Sequence, residues 1–131
     1  MDDYNTYGYE IRNPGVTERL WFSKNKNTAG MATEDGKIIL NPYSKLKEEQ
    51  MQSVVKNEAG RLLLREKNIV PEFELTPDQK QSFVGTPYGL DEMALKHSIL
   101  GRIISDDSSA GDVTQEQKEW GDWLNKELEI R

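Results

Sequence analysis

Apolar residues recur along this chain with two different spacings, tight near the start and helical through the rest. Arg19-Leu20-Trp21-Phe22-Ser23 and Lys37-Ile38-Ile39-Leu40 read as strands, with Ala29 to Thr33 as a strand between them. Polar turns separate them at Lys24 to Asn27 and at Glu34-Asp35-Gly36, the second with the composition of a hairpin turn. Asn41-Pro42 closes the last strand. From Lys45 the period lengthens. Met51, Val55, Ala59 and Leu62, flanked by Val54 and Leu63, predict a long helix from about Lys45 to Lys67, with Ser44 as N-cap and Asn68 as the C-terminal stop.

Three further helices are expected. Thr76 caps the first, Pro77 takes its opening position and Gln79 completes a capping box; it should end near Gly85, before the break at Thr86-Pro87-Tyr88-Gly89. Asp91 opens the next, running to about Ser105 with Met93, Leu100 and Ile104 on one face and Ile99 and Ile103 beside them. After a polar loop from Asp106 to Asp112, Thr114-Gln115-Glu116-Gln117 forms a second capping box. That final helix should bury Trp120, Trp123, Leu124 and Leu128. Residues 1–17, with the turn Asn13-Pro14-Gly15, read as an extended N-terminal arm, and residues 18–131 as one domain. The expected fold is α+β: a small antiparallel N-terminal sheet followed by four helices, the first long and central.

Composition narrows the functions. The chain has 131 residues, 35% hydrophobic and 31% charged, with a net charge of -6 and no cysteine. That length suits one domain with a small core. The longest aliphatic runs, Ile38-Ile39-Leu40 and Leu62-Leu63-Leu64, fall far short of the about 20 apolar residues of a membrane span, so no membrane contact is expected. Met1-Asp2-Asp3-Tyr4 has neither a basic n-region nor an apolar h-region, which predicts no secretory signal peptide. Lack of cysteine excludes disulfides and thiolate chemistry. A single histidine, His97, leaves no ligand set for a multi-histidine metal site. No cofactor, metal or catalytic residue is expected, and the chain is read as a non-enzyme.

The charge is unevenly placed. Residues 1–18 are net -3, residues 19–67 carry ten bases and six acids, and residues 68–131 carry six bases and thirteen acids. A basic middle and an acidic C-terminal half can attract between copies or recruit a protein partner, although solvated surface is the plainer reading. Nucleic acid is not an expected partner, because the overall field repels phosphate. Trp21-Phe22 near Lys24 and Lys26 mixes aromatic and basic residues as single-strand binders do, but an inward-facing aromatic pair is simpler. Tyr4, Tyr7 and Tyr9 suit docking, either on their own domain or on a neighbouring subunit. Trp120 and Trp123 share a helix face and serve either as core or as interface anchors.

The strand-loop-helix unit from Gly36 to Leu64 carries Asn57-Glu58-Ala59-Gly60-Arg61 on its helix. This layout resembles the core of zincin metallopeptidases, where a strand precedes a helix bearing His-Glu-x-x-His. Two histidines four apart bind zinc there, and the glutamate activates water. Glu58 and Gly60 match the pattern, whereas Asn57 and Arg61 occupy both histidine positions. An amide nitrogen is a poor zinc ligand and a guanidinium has no usable lone pair. The resemblance therefore implies a zincin-like hydrolase scaffold without its metal or its catalysis.

Glu58 borders the apolar stripe of its helix and needs a partner, with Arg61 the local candidate and Arg19 or Arg102 distant ones. It reads as a buried ion pair or as a carboxylate of raised pKa serving catalysis. His97 lies on the apolar face of its helix, as a hydrogen-bonded core residue or as a base, and Ser98 points about 100° away from it, so the two form no dyad. Glu48-Glu49 falls in a helix first turn, where the dipole favours acids, and Asp106-Asp107 follows a helix end; neither pair has the further ligands of a calcium loop.

Asn41-Pro42-Tyr43-Ser44, Gly101-Arg102-Ile103-Ile104-Ser105 and Ser109-Ala110-Gly111-Asp112-Val113-Thr114 resemble stretches of small accessory proteins of tailed bacteriophages. The resemblance implies a viral, virion-associated or host-interacting protein, placed in the virion or the host cytoplasm, and it assigns no residue a role. The function expected first is a structural or protein-interaction protein that docks on itself or a larger assembly. The degenerate hydrolase scaffold is one alternative. An acidic inhibitor of a host protein is another.

Overall fold

The computed structural model describes residues 4–82, 84, 91–105 and 112–131. The expected end of the second predicted helix at Gly85, the Thr86–Gly89 break, the Asp106-Asp107 pair and most of the following loop lie outside the described residues. Five helices and one two-stranded sheet are present among those described, an α+β fold.

The strand expected at Arg19–Ser23 is instead the middle of a helix, α1 (Val16–Lys24). The reason is local. The Glu18 side chain folds back to accept the Gly15 amide at 2.7 Å and is gripped by Arg12 at 2.7 Å, so the turn before it becomes a helix N-terminus. That grip, with the Gly15 bond, pulls the Glu18 carboxyl down to about 2. Only Phe22 of α1 is buried, with Trp21 edge-on to it at 5.8 Å.

The two strands do form. β1 (Gly30–Ala32) pairs antiparallel with β2 (Ile38–Leu40), Met31 opposite Ile39. Thr33 accepts the Gly36 amide across the turn, and Gly36 takes φ +79°, which the absence of a side chain permits. The N-terminal segment adds to the free edge of β2. Ile38 donates to Glu10 and Arg12 donates to Ile38, both at 2.9 Å, giving a short parallel bridge at Ile11.

The long helix, α2 (Glu48–Glu66), starts three residues later than its periodicity suggests. Asn41 accepts the Tyr43 amide and Ser44 the Leu46 amide, which holds residues 41–46 in turns; the Gln50 side chain then closes the N-terminus on the Lys47 amide. Its end is as expected. Asn68 adopts φ +55°, the Ile69 amide bonds Leu64 and the Asn68 amide bonds Arg65, a Schellman stop.

Both capping boxes are present. Thr76 and Gln79 open α3 (Pro77–Ser82), and Thr114 and Gln117 open α5 (Gln115–Glu129). Asp91 caps α4 (Glu92–Ile104) by accepting the Met93 and Ala94 amides. Gln79 and Gln117 also meet each other. Each side-chain amide donates to the other's oxygen, at 2.7 and 2.8 Å, and both residues are buried.

The core is the three-helix stack of α2, α4 and α5, floored by β2. Val55, Ala59, Leu63 and Leu64 of α2 pack with Ile99, Leu100 and Ile104 of α4 and Leu124 and Leu128 of α5. Each of these valine, leucine and isoleucine side chains contributes about 1.5–3 kcal/mol by leaving water. Glycines set the helix approach: Gly101 lies against the Asn57 amide, Gly60 against Ile104 and Gly121 against Ile103. Met93, expected on the inner face of α4, is 40% exposed, because the buried stripe of that helix runs through Leu95, Ile99 and Leu100.

Candidate functional site

Two features stand apart from this packing. The first is a polar cleft between α2, α4 and the loop ahead of β1, of about 330 Å³. Asn57, Glu58 and Arg61 line it from α2, Ser98 and Arg102 from α4, and Asn27 to Gly30 from the loop. The spacing explains the convergence. Asn57 and Arg61 are four apart on one helix, Ser98 and Arg102 four apart on the other, so each pair shares a face and the two faces oppose.

Glu58 is 5% exposed and Arg61 7%. Arg61 Nε lies 3.4 Å from Glu58 Oε1, and Arg61 Nη2 donates to Ser98 Oγ at 3.0 Å. Of the three cations considered for Glu58, Arg61 is thus its ion-pair partner, while Arg102 lines the same cleft. Burial raises the Glu58 carboxyl above its ordinary range, only partly opposed by the charges of Arg61 and Arg65. Asn57 places its Oδ1 in the contact with Gly101, where it is buried without a hydrogen bond.

His97 belongs elsewhere. Its Nε2 donates to the Ile69 carbonyl at 3.1 Å, tying α4 to the chain leaving α2. Burial, the largest effect, lowers its pKa and keeps the ring neutral. His97 does not line the Glu58 cleft, and among the described residues no second carboxylate lines it either. Among the described residues no three histidines, aspartates or glutamates gather as a metal site. What the cleft can do with these side chains is bind charge of both signs.

The second feature is a groove on α5 of about 440 Å³, lined by Ile69, Trp120 and Trp123 with Glu116 and Glu119 at its edge. The two indoles stand edge to face, centroids 5.6 Å apart. Both rest on the core, partly buried, because Leu124 and Leu128, one helical face over, fill the interior. Elsewhere on the surface, α1 presents Val16, 87% exposed, and Leu20, 58% exposed, one helical turn apart. Exposed Arg19 and Lys24 flank them.

The three tyrosines pack on their own chain. Tyr9 is buried, its hydroxyl donates to Glu66 at 2.8 Å and the Arg131 guanidinium lies 3.9 Å over its ring. Burial first, then the Glu66 bond, raise its phenol pKa. Tyr4 and Tyr7 rest half-buried on the same core. Asn5 and Gln52 exchange two bonds, at 2.8 and 3.0 Å, which fastens the segment to α2.

Sequence reasoning placed Asn57, Glu58 and Arg61 on one helix and named Arg102 as a distant partner for Glu58, but did not bring Ser98 to them. Two polar residues four apart among Leu95, Ile99 and Leu100 were the available signal. No protein family, curated protein or solved structure matches the chain. Among the described residues no helix is long and apolar enough to cross a membrane.

Proposed function

We propose that this chain is a non-enzymatic structural protein that associates with copies of itself, α1 of one copy seating in the α5 groove of the next. The observation that carries the reading is the match between two exposed surfaces of one chain. Val16 and Leu20 supply an apolar ridge flanked by Arg19 and Lys24, and Ile69, Trp120 and Trp123 supply an apolar groove edged by Glu116 and Glu119. Tryptophan in a groove with a charged rim is the composition of an interface hot spot, and opposite rims steer the approach. The contact uses different patches on the two copies, so each copy keeps one free end. Such contacts propagate into rings or filaments. With the resemblance to bacteriophage accessory proteins, the setting of that assembly is a virion or the host cytoplasm.

Light scattering across a concentration series tests this. The mass should rise with concentration for the natural chain. Trp123→Ala, which removes a hot-spot anchor worth about 2 kcal/mol, should weaken association about 30-fold. Leu20→Glu on exposed α1 should do the same. A chain that stays monomeric throughout the series overturns the proposal.

A further inference from the structure

A pocket of about 450 Å³, within the size range of small-molecule sites, is walled by the loop ahead of β1 and the turns that follow β2. One buried side chain fixes both walls. Asn41 Nδ2 donates to the Asn25 and Thr28 carbonyls at 3.3 and 2.7 Å, and its Oδ1 accepts the Tyr43 amide at 2.8 Å. The Asn41 amide donates to the Ala29 carbonyl at 2.9 Å, and the Ser44 amide to the Asn41 carbonyl at 3.1 Å. The walls are thus set before any ligand arrives, which lowers the cost of binding one. The polar side chains on them are unengaged. Lys26 and Lys45 make no ion pair or hydrogen bond among the described residues, in a chain where 23 acids outnumber 17 lysines and arginines. Neither the Tyr43 hydroxyl nor the Asn27 side-chain amide has a partner there either. Glu48 and Glu49 open α2 just after the second wall, yet neither lines the pocket. Among the described residues the lining therefore carries two positive charges and no negative one, in a protein of net charge -6. Lysines on an open face are commonly just solvated. These two share a concavity with apolar surface, the Tyr43 ring, Leu46 and Ala29.

We propose that this pocket binds a free nucleoside monophosphate, its phosphate on Lys26 and Lys45 and its base against the Tyr43 ring. The donor set selects phosphate over carboxylate. An arginine fork best matches a planar carboxylate, whereas lysine meets a tetrahedral anion as a point charge, and among the described residues no arginine lines the pocket. A phosphate monoester carries a charge of about -1.5 to -2 at pH 7, which two ammonium groups balance. A nucleobase is flat and presents a π-face to the phenol ring. The Asn27 amide sets a donor beside an acceptor, the pattern that complements adenine at N6 and N7, so adenine fits best. Overall charge separates a mononucleotide from a strand. One phosphate is neutralised within the pocket, while further phosphates along a strand would meet the field of a protein of net charge -6. None of the side chains assigned to self-association lines this pocket, so the site is independent of that reading.

The test is an amide-detected NMR titration of the full chain with AMP and, separately, with adenosine, inorganic phosphate and a short single-stranded oligoadenylate. AMP should bind saturably at about millimolar concentration or tighter, shifting amides of residues 26–29 and 43–46. Adenosine and phosphate should each bind about tenfold more weakly or worse, since each keeps half of the contacts. Lys26→Gln with Lys45→Gln should weaken AMP about tenfold or more and leave adenosine unchanged. Tyr43→Ala should weaken AMP by about tenfold and leave phosphate unchanged. All three positions are exposed, so these variants should fold as the natural chain does. The same AMP affinity is expected in Trp123→Ala, whose association is weakened, so loss of self-association and loss of this site are read separately. Equal affinity for phosphate and AMP would overturn the proposal in favour of a plain anion site, and tighter binding of the oligonucleotide would overturn it in favour of a strand binder. Absence of saturable AMP binding, or saturable shifts confined to other amides, overturns it outright.

Discussion

Replacing Gln117 by Met should cost far more than replacing Gln79 by Met, although the two side chains bond each other symmetrically. Gln117 Nε2 donates to Gln79 Oε1 at 2.8 Å and to the Glu74 carbonyl at 3.0 Å; its Oε1 accepts from Gln79 Nε2 and from the Thr114 amide. Gln79 has its own cap bond, Oε1 accepting the Thr76 amide at 3.0 Å. Removing Gln79 leaves Gln117 Nε2 on Glu74 and Gln117 Oε1 on Thr114, so neither buried atom is orphaned. Removing Gln117 strands Gln79 Nε2 in a buried site and takes the side-chain donor from the Glu74 carbonyl. Each substitution also loses one cap bond, and that loss cancels in the comparison. A stranded buried polar group costs about 1–3 kcal/mol, whereas a lost bond between groups that keep other partners costs about 0.5–1.5 kcal/mol. Gln117→Met should therefore cost about 2–4 kcal/mol and Gln79→Met about 1–2 kcal/mol, against a total stability of about 5–15 kcal/mol for a domain. With both replaced, nothing is stranded at Gln79, and the double variant should fall short of the sum by about 1–2 kcal/mol. Urea unfolding followed by tryptophan fluorescence measures all three. Equal single costs, or additivity within about 0.5 kcal/mol, would refute the reasoning.

Two further outcomes follow from the helix contacts. Burial raises the Glu58 pKa, so the folded protein holds that proton more tightly than the unfolded chain, and ionisation of Glu58 costs stability as pH rises. As pH falls from 7 towards 4.5, natural protein should gain stability relative to Glu58→Gln, with Arg61, Arg65 and Arg102 charged throughout; a pH-independent difference in urea midpoints would contradict the direction of the shift. Gly101→Ala puts a methyl group into the Asn57 amide, which outweighs the helix propensity gained and should cost about 1–3 kcal/mol. Calorimetry of Gly101→Ala with Asn57→Ala should show most of that loss restored, and no restoration would place the clash elsewhere.

Helix ends were the most legible part of this fold. Asn68, Thr76, Asp91 and Thr114 act where their short polar side chains or left-handed backbone tolerance placed them, because caps are decided within four residues. The stretch Arg19–Ser23 misled for a related reason. Its aromatic pair reads as strand, but the outcome was set by Glu18 reaching back to Gly15 under the grip of Arg12, a bond between residues whose spacing carries no apolar signal. Trp120 and Trp123 fell between core and surface because apolar periodicity marks a face of a helix without saying how deep that face lies. For the cleft, Asn57, Glu58 and Arg61 were visible as polar residues on a buried helix. Arg102 stood only as one of two distant candidates for Glu58 and Ser98 was not joined to them, since which faces of α2 and α4 meet depends on the close approach at Gly101, a tertiary fact. The reciprocal bonding of two capping glutamines has the same character: each box was readable alone, and their meeting was not.

A charge-exchange mixing experiment tests the association most directly. One variant carries Glu116→Lys and Glu119→Lys, giving a basic groove against its own basic α1. The other carries Arg19→Glu and Lys24→Glu, giving an acidic α1 against its own acidic groove. Each alone should repel its copies and remain monomeric by sedimentation velocity. Mixed in equal amounts, each α1 meets a groove of opposite sign, and large complexes should appear that high salt disperses. A mixture that remains monomeric where the natural chain associates, or either variant associating alone as well as the natural chain does, would contradict the account.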